Sequence, residues 1–272
     1  MGQADATLSV SAAPTPSWRK MKAFYPFLSL AVLLIAWHLG VVLFKPAPYL
    51  LPSPIAVANV IVSEFPALIY HTGITAFETT LAFVFSIVVA MPLAFMIARY
   101  KWFEETIYPV LVISQAVPKV ALAPLILVWL GFGLSTKVMI GVLVAFFPVV
   151  ISAVVGLKSV PKDMTYLGRS MGLSAGEMFR KIYFPYALPS IFGGLKVCIT
   201  LAVVGAVVGE FVGADRGLGY LILLASGQLQ TALMFAALIF LILIGVTSFA
   251  IVQWAEGRLM PWHSSVRQDA GH

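Results

Sequence analysis

Apolar runs of twenty residues and more recur along this chain, separated by short polar or basic stretches. About twenty such residues are needed for a helix to cross the ~30 Å hydrocarbon of a bilayer. Hydrocarbon offers the backbone no water, so each run has to close its own hydrogen bonds as a helix. The runs predict six transmembrane helices, at 23–44, 74–98, 106–131, 134–157, 187–212 and 232–255. The proline-rich KPAPYLLPSP that begins 45–73 ends the first helix, and a short interfacial helix is expected over 55–68. Charged residues are 10% of the 272 and hydrophobic ones 61%, where a soluble domain carries about 25% charged. The expected fold is therefore an all-α, polytopic integral membrane protein.

The net charge of +6 would suggest nucleic acid in a soluble chain. Here the cations lie at the ends of apolar runs, which reads as topology, and no nucleic-acid partner is expected. Twelve of the 17 Lys and Arg fall at the N-terminus, in 99–101, in 158–181 and after 257. Lys45, Lys119, Lys137 and Arg216 fall on or near the other side, and Lys196 inside a span. Cations collect on the cytoplasmic side, so both termini and the 158–181 stretch are placed there. The divisions are a polar tail at 1–22, a six-helix domain at 23–256 and a tail at 257–272. The run after Arg19, Lys20 and Lys22 is too long for a signal core of roughly 7–15 residues and lacks a small-x-small cleavage site, so it is read as an uncleaved span. Cys198 is the single cysteine and the four histidines are scattered. No disulfide within the chain and no metal site is expected.

The polar interruption KSVPKDMTYLGRSMGLSAGEMFRKIYFPYALP, 158–189, has five basic and two acidic residues. Met164, Leu167 and Met171, then Phe179, Ile182 and Tyr183, recur at helical spacing. The pattern predicts one or two short amphipathic helices outside the bilayer. Gly172, nine residues, Ile182 and Pro185 give a spacing that resembles the cytoplasmic loop of ABC-importer permeases, written EAA-x-x-x-G, nine residues, I-x-L-P. Phe184 takes the Leu place, and Tyr166, Leu167 and Gly168 stand where the EAA triplet would be. In that family the loop is a coupling helix that docks on an ATPase subunit; the alternative reading is an amphipathic connector on the membrane surface.

The third span is broken. Gln115, Pro118, Lys119 and Pro124 put an amide, an ammonium and two prolines near mid-membrane. Irregular backbone at that depth survives against protein or a wet cavity, and a charge there faces the interior. The segment is a candidate translocation path, with a kinked helix whose lysine snorkels outward as the other reading of Lys119. VPKVALAPLILVWLGFG resembles the P-x-x-A-x-x-P-L-x-x-x-W-F-G of the same permeases. In the fifth span Gly205, Gly209 and Gly213 lie four apart and form one face for close helix packing. Glu210 beside them is a further path candidate, expected to meet a polar partner or a cavity. GADRGLGYLI at 213–222 makes an external turn similar to the family's G-x-x-x-G-L-G. Glu78 is expected at the outer interface, and Lys196 to snorkel to the cytoplasmic end.

The resemblance runs from about residue 50 to Trp262 and includes the PWH ending at 261–263. It is to type I ABC-importer permeases of the branch handling nitrate, sulfonates, taurine, bicarbonate and pyrimidine precursors. It implies a bacterial inner-membrane location, a second permease copy, two ABC ATPase subunits and an extracytoplasmic solute-binding protein. It also implies that Arg169, Met171, Gly172, Leu173, Phe179, Ile182 and Pro185 form the ATPase-coupling loop. No G-x-x-x-x-G-K-[ST] phosphate loop or zinc motif occurs in the sequence. No catalytic residue and no cofactor is expected in this chain, with ATP and Mg in the partner ATPase. A basic Lys119 in the path would suit an anionic solute. The alternatives are a secondary transporter or channel, with Glu210 and Glu78 as its intramembrane acids, and a membrane scaffold, which leaves the broken span unexplained.

Overall fold

Helices account for all the regular structure in the computed structural model, which describes residues 25–261. The 1–22 tail, with Arg19, Lys20 and Lys22, and Trp262 and His263 of the PWH ending lie outside the described residues. Helix α1, Tyr25–Phe44, stands by itself as one unit, and the remaining helices form another.

In that second unit Ser53 caps a short helix α2, Pro54–Ser63, by accepting the Ala56 N–H at 3.1 Å. Helix α3, Phe65–Arg99, follows after one residue. It takes in only 65–68 of the stretch expected as a short helix, most of which is α2, and the second span begins nine residues earlier than its apolar run implied. Pro92 sits inside it without ending it. The expected third span is two helices, α4 (Lys101–Ser114) and α5 (Ala123–Leu130), joined through a 3-10 turn at Lys119–Leu122. The two arms meet at 87°. Helix α6 is Leu134–Lys158, and α7 (Lys162–Ser170) and α8 (Ala175–Met178) lie in the polar interruption. A π-helical turn, Phe179–Tyr183, leads into α9, Phe184–Gly213. The chain closes with α10, Leu218–Gly227, and α11, Thr231–Leu259.

Four of these segments are long and apolar enough to cross a membrane, or five if the bent pair is one span. The described apolar part of α1, Leu28–Phe44, falls among the shorter helices. The described residues therefore give four or five spans where the runs predicted six.

The centre is built from small side chains. Ala82, Ala90 and Ala94 of α3 meet Ala145, Val149 and Ala153 of α6 and Ala187, Cys198 and Ala202 of α9. Small residues let helix backbones approach closely, which is how apolar helices gain packing where lipid already solvates them. A Cβ built on Gly205 would fall 2.6 Å from the Gly141 Cα, so α6 and α9 touch backbone to backbone there. Large apolar side chains point outward instead, among them Val128, Trp129 and Phe132, as expected where the surroundings are hydrocarbon or another helix.

Candidate functional site

Helix α6 runs between two polar places, one at each of its ends. Near Lys158 lies the loop, and its turn is made by backbone chemistry. The Leu173 N–H donates to the Gly168 carbonyl at 3.1 Å and the Gly172 N–H to that of Arg169 at 3.0 Å. This pair of bonds is a Schellman C-cap, which asks for a left-handed residue after the cap. Gly172 supplies it with φ +73°. Ser174 then opens the next helix with a capping box: Glu177 Oε2 accepts the Ser174 N–H at 3.0 Å and Ser174 Oγ accepts the Glu177 N–H at 3.4 Å. Between the two short helices, Met178 and Ile182 fill the space over Gly168, where a Cβ would come 2.4 Å from the Met178 sulfur. Phe179 meets Phe95 of α3 edge to face, ring centroids 5.0 Å apart. Pro185 directly follows the π turn, inside a helix that runs on unbroken from Ala175 to Gly213.

Arg169, Leu173 and Phe179 line a groove of about 660 Å³ against Arg99 and Leu157. On the other side, Met164, Tyr166, Leu167 and Met171 are exposed, Met171 to 69%. The loop is thus a braced helix-turn-helix presenting apolar side chains that its own chain does not cover. Gly168 and the Ser174–Glu177 box were not singled out from the sequence. The box was legible there as S-x-x-E; Gly168 was noted only as a departure from a motif, and its need for smallness comes from Met178.

The polar residues of the bent span lie at its bend. Gln115 is exposed at the end of α4, and Pro118 opens the 3-10 turn. The ammonium of half-buried Lys119 lies 4.5 Å from the Phe147 ring centroid and donates to the Gln115 carbonyl at 3.4 Å. Neither these three residues nor Glu210 lines the groove at Arg169 or the cleft at Lys137.

At the other end of α6, buried polar side chains gather. Glu78 of α3 and Lys137 of α6 form an ion pair, with side chains 3% and 6% exposed. Glu78, expected at the outer interface, and Lys137, counted on or near the outer side, are thus buried among the helices. Neither is solvated because α3, α6 and α9 close around them, and each supplies the other's countercharge. Glu210 of α9 accepts from the Thr75 hydroxyl at 2.6 Å through one oxygen and from the Gly219 N–H through the other. Thr75 in turn accepts the Leu218 N–H at 2.8 Å, and His71 Nδ1 the Gly217 N–H at 2.9 Å. Gly217 and Gly219 leave room for this carboxylate, since a Cβ on either would fall 2.1 or 2.7 Å from one of its oxygens. The G-L-G turn is therefore held to α3 by side chains and shaped around Glu210. Gly209 backs onto Lys137, whose Cα would lie 2.9 Å from an added Cβ, and Gly213 onto Leu127 and Phe132. Lys196, expected to snorkel, is paired instead with Glu256 of α11.

Beside the Glu78–Lys137 pair opens a cleft of about 880 Å³, with Asp215 and Arg216 at its wall. The Asp215 carboxyl lies below its ordinary range, held there by its own backbone N–H and by Arg216 beside it.

The description "Binding-protein-dependent transport system inner membrane component" matches residues 84–261, more than half of the chain. The chain belongs to that family. The permease is 37% identical to the riboflavin transport system permease protein of Chloroflexus aurantiacus over 258 residues, 92% of this chain and 96% of that one. It is 34% identical to the formylaminopyrimidine transport permease protein of Halalkalibacterium halodurans, covering 90% and 98%. Among solved structures, an inward-facing form of the MetNI methionine ABC transporter aligns with a TM-score of 0.61 at 20% identity, covering 73% of the permease and 97% of that chain. The fold is that of an ABC-importer permease, in a multi-pass membrane protein. Seen in that frame, the permease carries its two most organised polar places at opposite ends of one helix: a braced loop at Lys158 and a buried charge cluster at Lys137.

Proposed function

We propose that this permease is the membrane subunit of an ATP-driven importer, with the 158–185 loop as the contact for its ATPase. The braced loop with uncovered Met164, Tyr166, Leu167 and Met171 carries the reading. A segment that only joined two spans would need neither a Schellman turn nor a capping box, and exposed apolar side chains on a braced loop suit a partner surface. Two copies, two ATPases and an extracytoplasmic binding protein complete the assembly, by analogy with the family. Both termini and the loop face the cytoplasm, and the cleft at Lys137 faces the opposite side.

For the solute, the relatives named for riboflavin and formylaminopyrimidine stand at 37% and 34% identity, those named for aliphatic sulfonates and taurine at 29% and 26%. That order favours a nitrogen heterocycle over a sulfonate. The anionic reading rested on Lys119, whose ammonium is engaged by the Phe147 ring and a carbonyl. The test is co-purification with a co-expressed ATPase of this family. Wild-type permease is expected to retain it, and Leu167→Asp/Met171→Asp to lose at least about tenfold of it at unchanged membrane level, since an uncompensated charge in an apolar contact is strongly disfavoured. Full retention by the double variant would remove the loop from the contact.

A further inference from the structure

The groove at Arg169 lies where two membrane spans end, since Arg99 closes α3 and Lys158 closes α6. It adjoins a second hollow of about 380 Å³, lined by Lys158, Lys162 and Thr165, and Leu157, Arg169 and Tyr183 wall both. Arg99, Lys158, Lys162 and Arg169 thus stand around the two hollows, all four exposed, and no carboxylate lines either. Lys158 is matched by Glu104. Among the described residues no ion pair includes Arg99, Lys162 or Arg169. Glu177, beside the groove wall at Gly176, gives its oxygens to Ser174 and Lys181.

Beside these cations the wall is apolar. Phe95, 41% exposed, lines the groove with Phe179 and Leu173. Phe95 stands one turn before Arg99, so its ring lies about 6 Å further into the span than the cation. Cations at the surface and rings a turn deeper repeat the order of groups in a phospholipid, phosphate first and acyl chain after it. A guanidinium is a planar fork that takes phosphate oxygens in pairs, and anionic lipids collect in the cytoplasmic leaflet. An acidic side chain of a partner protein would meet the cations and leave the rings uncovered. Met164, Leu167 and Met171, the exposed side chains of the ATPase contact, line neither hollow. The loop therefore has two separate faces.

We propose that this groove holds one anionic phospholipid of the cytoplasmic leaflet, its phosphate between Arg99 and Arg169 and its acyl stem against Phe95 and Phe179. The proposal rests on the orientation in the transport reading above and adds a lipid site to the loop. Arg99 belongs to α3 and Arg169 to α7, so the phosphate bridges the loop to the end of a span.

The experiment is a calorimetric titration of the purified permease, alone and assembled with its ATPase, in a nonionic detergent. Short-chain phosphatidylglycerol is the probe, with short-chain phosphatidylcholine and glycerol phosphate beside it. Phosphatidylglycerol is expected to bind one site per permease, at least about tenfold more tightly than either of the others. Arg99→Gln and Arg169→Gln should each raise its Kd about fivefold or more. Arg258→Gln removes a cation from the last turn of α11, outside both hollows, and should leave Kd unchanged. Equal binding of phosphatidylcholine would leave an apolar contact only, and equal binding of glycerol phosphate a site for free anions. An equal effect of Arg258→Gln would leave general attraction to the basic face. Binding by the permease alone that assembly abolishes would give the groove to the ATPase. Each of these results overturns the proposal and leaves the transport reading standing. A permease that retains no ATPase overturns the transport reading, and the titration of the permease alone still decides the lipid site.

Discussion

Thr75 shows how much one side chain carries in an apolar protein. Its hydroxyl gives a hydrogen to Glu210 Oε1 and takes one from the Leu218 N–H, so it joins three helices at one atom. Thr75→Val keeps the shape and deletes both bonds. Two buried polar groups are then unpaired, at about 1–3 kcal/mol each. The expected loss is about 2–4 kcal/mol, read by denaturant unfolding of the purified permease in detergent, and Thr75→Ser should recover most of it. Wild-type stability of Thr75→Val would mean that the G-L-G turn is held by something else. The sequence offered Glu210 as a buried acid in want of a partner, but not this partner, because Thr75 lies 135 residues away. Glu78 and Lys137, 59 residues apart, were not read as a pair for the same reason. Composition tells which charges sit in apolar runs. Pairing depends on how three helices cross, and no local pattern encodes that.

Elements were far more legible than their pairings. Apolar length marked α6, α9 and α11 closely, because a helix is the way an isolated apolar segment satisfies its backbone in lipid. The bend of 87° between α4 and α5 was announced by Pro118 and Pro124. The loop was legible as an amphipathic, glycine-punctuated stretch, and its two internal constraints separate cleanly. Gly172 is needed for its backbone: it sits at φ +73° with nothing within 4 Å of an added Cβ. Gly168 is needed for its size, with Met178 and Ile182 over it. Gly172→Asn, which tolerates the left-handed region, should keep ATPase co-purification, whereas Gly168→Leu should pry α7 from the π turn and lose it. Overpacking of this kind costs typically about 1–3 kcal/mol. Limited proteolysis of the loop in the purified protein checks the cause, with faster cleavage expected in Gly168→Leu alone. Equal behaviour of the two variants would show that size over Met178 does not matter.

For the whole molecule, helix length and charge placement act together. The 35 residues of α3 make a rod of about 52 Å, against a hydrocarbon layer of about 30 Å. Part of it therefore stands beyond the hydrocarbon or runs at a tilt. Helix α6 is pinned at both ends, by Lys137 on Glu78 and by Lys158 on Glu104 of α4. The two pins differ in kind. Lys158–Glu104 is partly exposed and contributes little. Lys137–Glu78 is buried, so removing one member strands the other. Lys137→Met alone should destabilise the permease by about 3–5 kcal/mol, and Lys137→Met/Glu78→Met should recover most of it. A double-mutant cycle on unfolding free energies measures this, and a double variant no better than the single would show that the ion pair is not the connection between these helices.

The π turn at Phe179–Tyr183 carries a last consequence. A π turn holds one residue more than the α turn on either side of it, and each residue of an α-helix stands for about 100° of rotation. The surplus residue therefore sets the rotational phase between the 158–185 loop and α9, so deleting one residue from Phe179–Tyr183 would turn every side chain of α9 by about 100° relative to the loop.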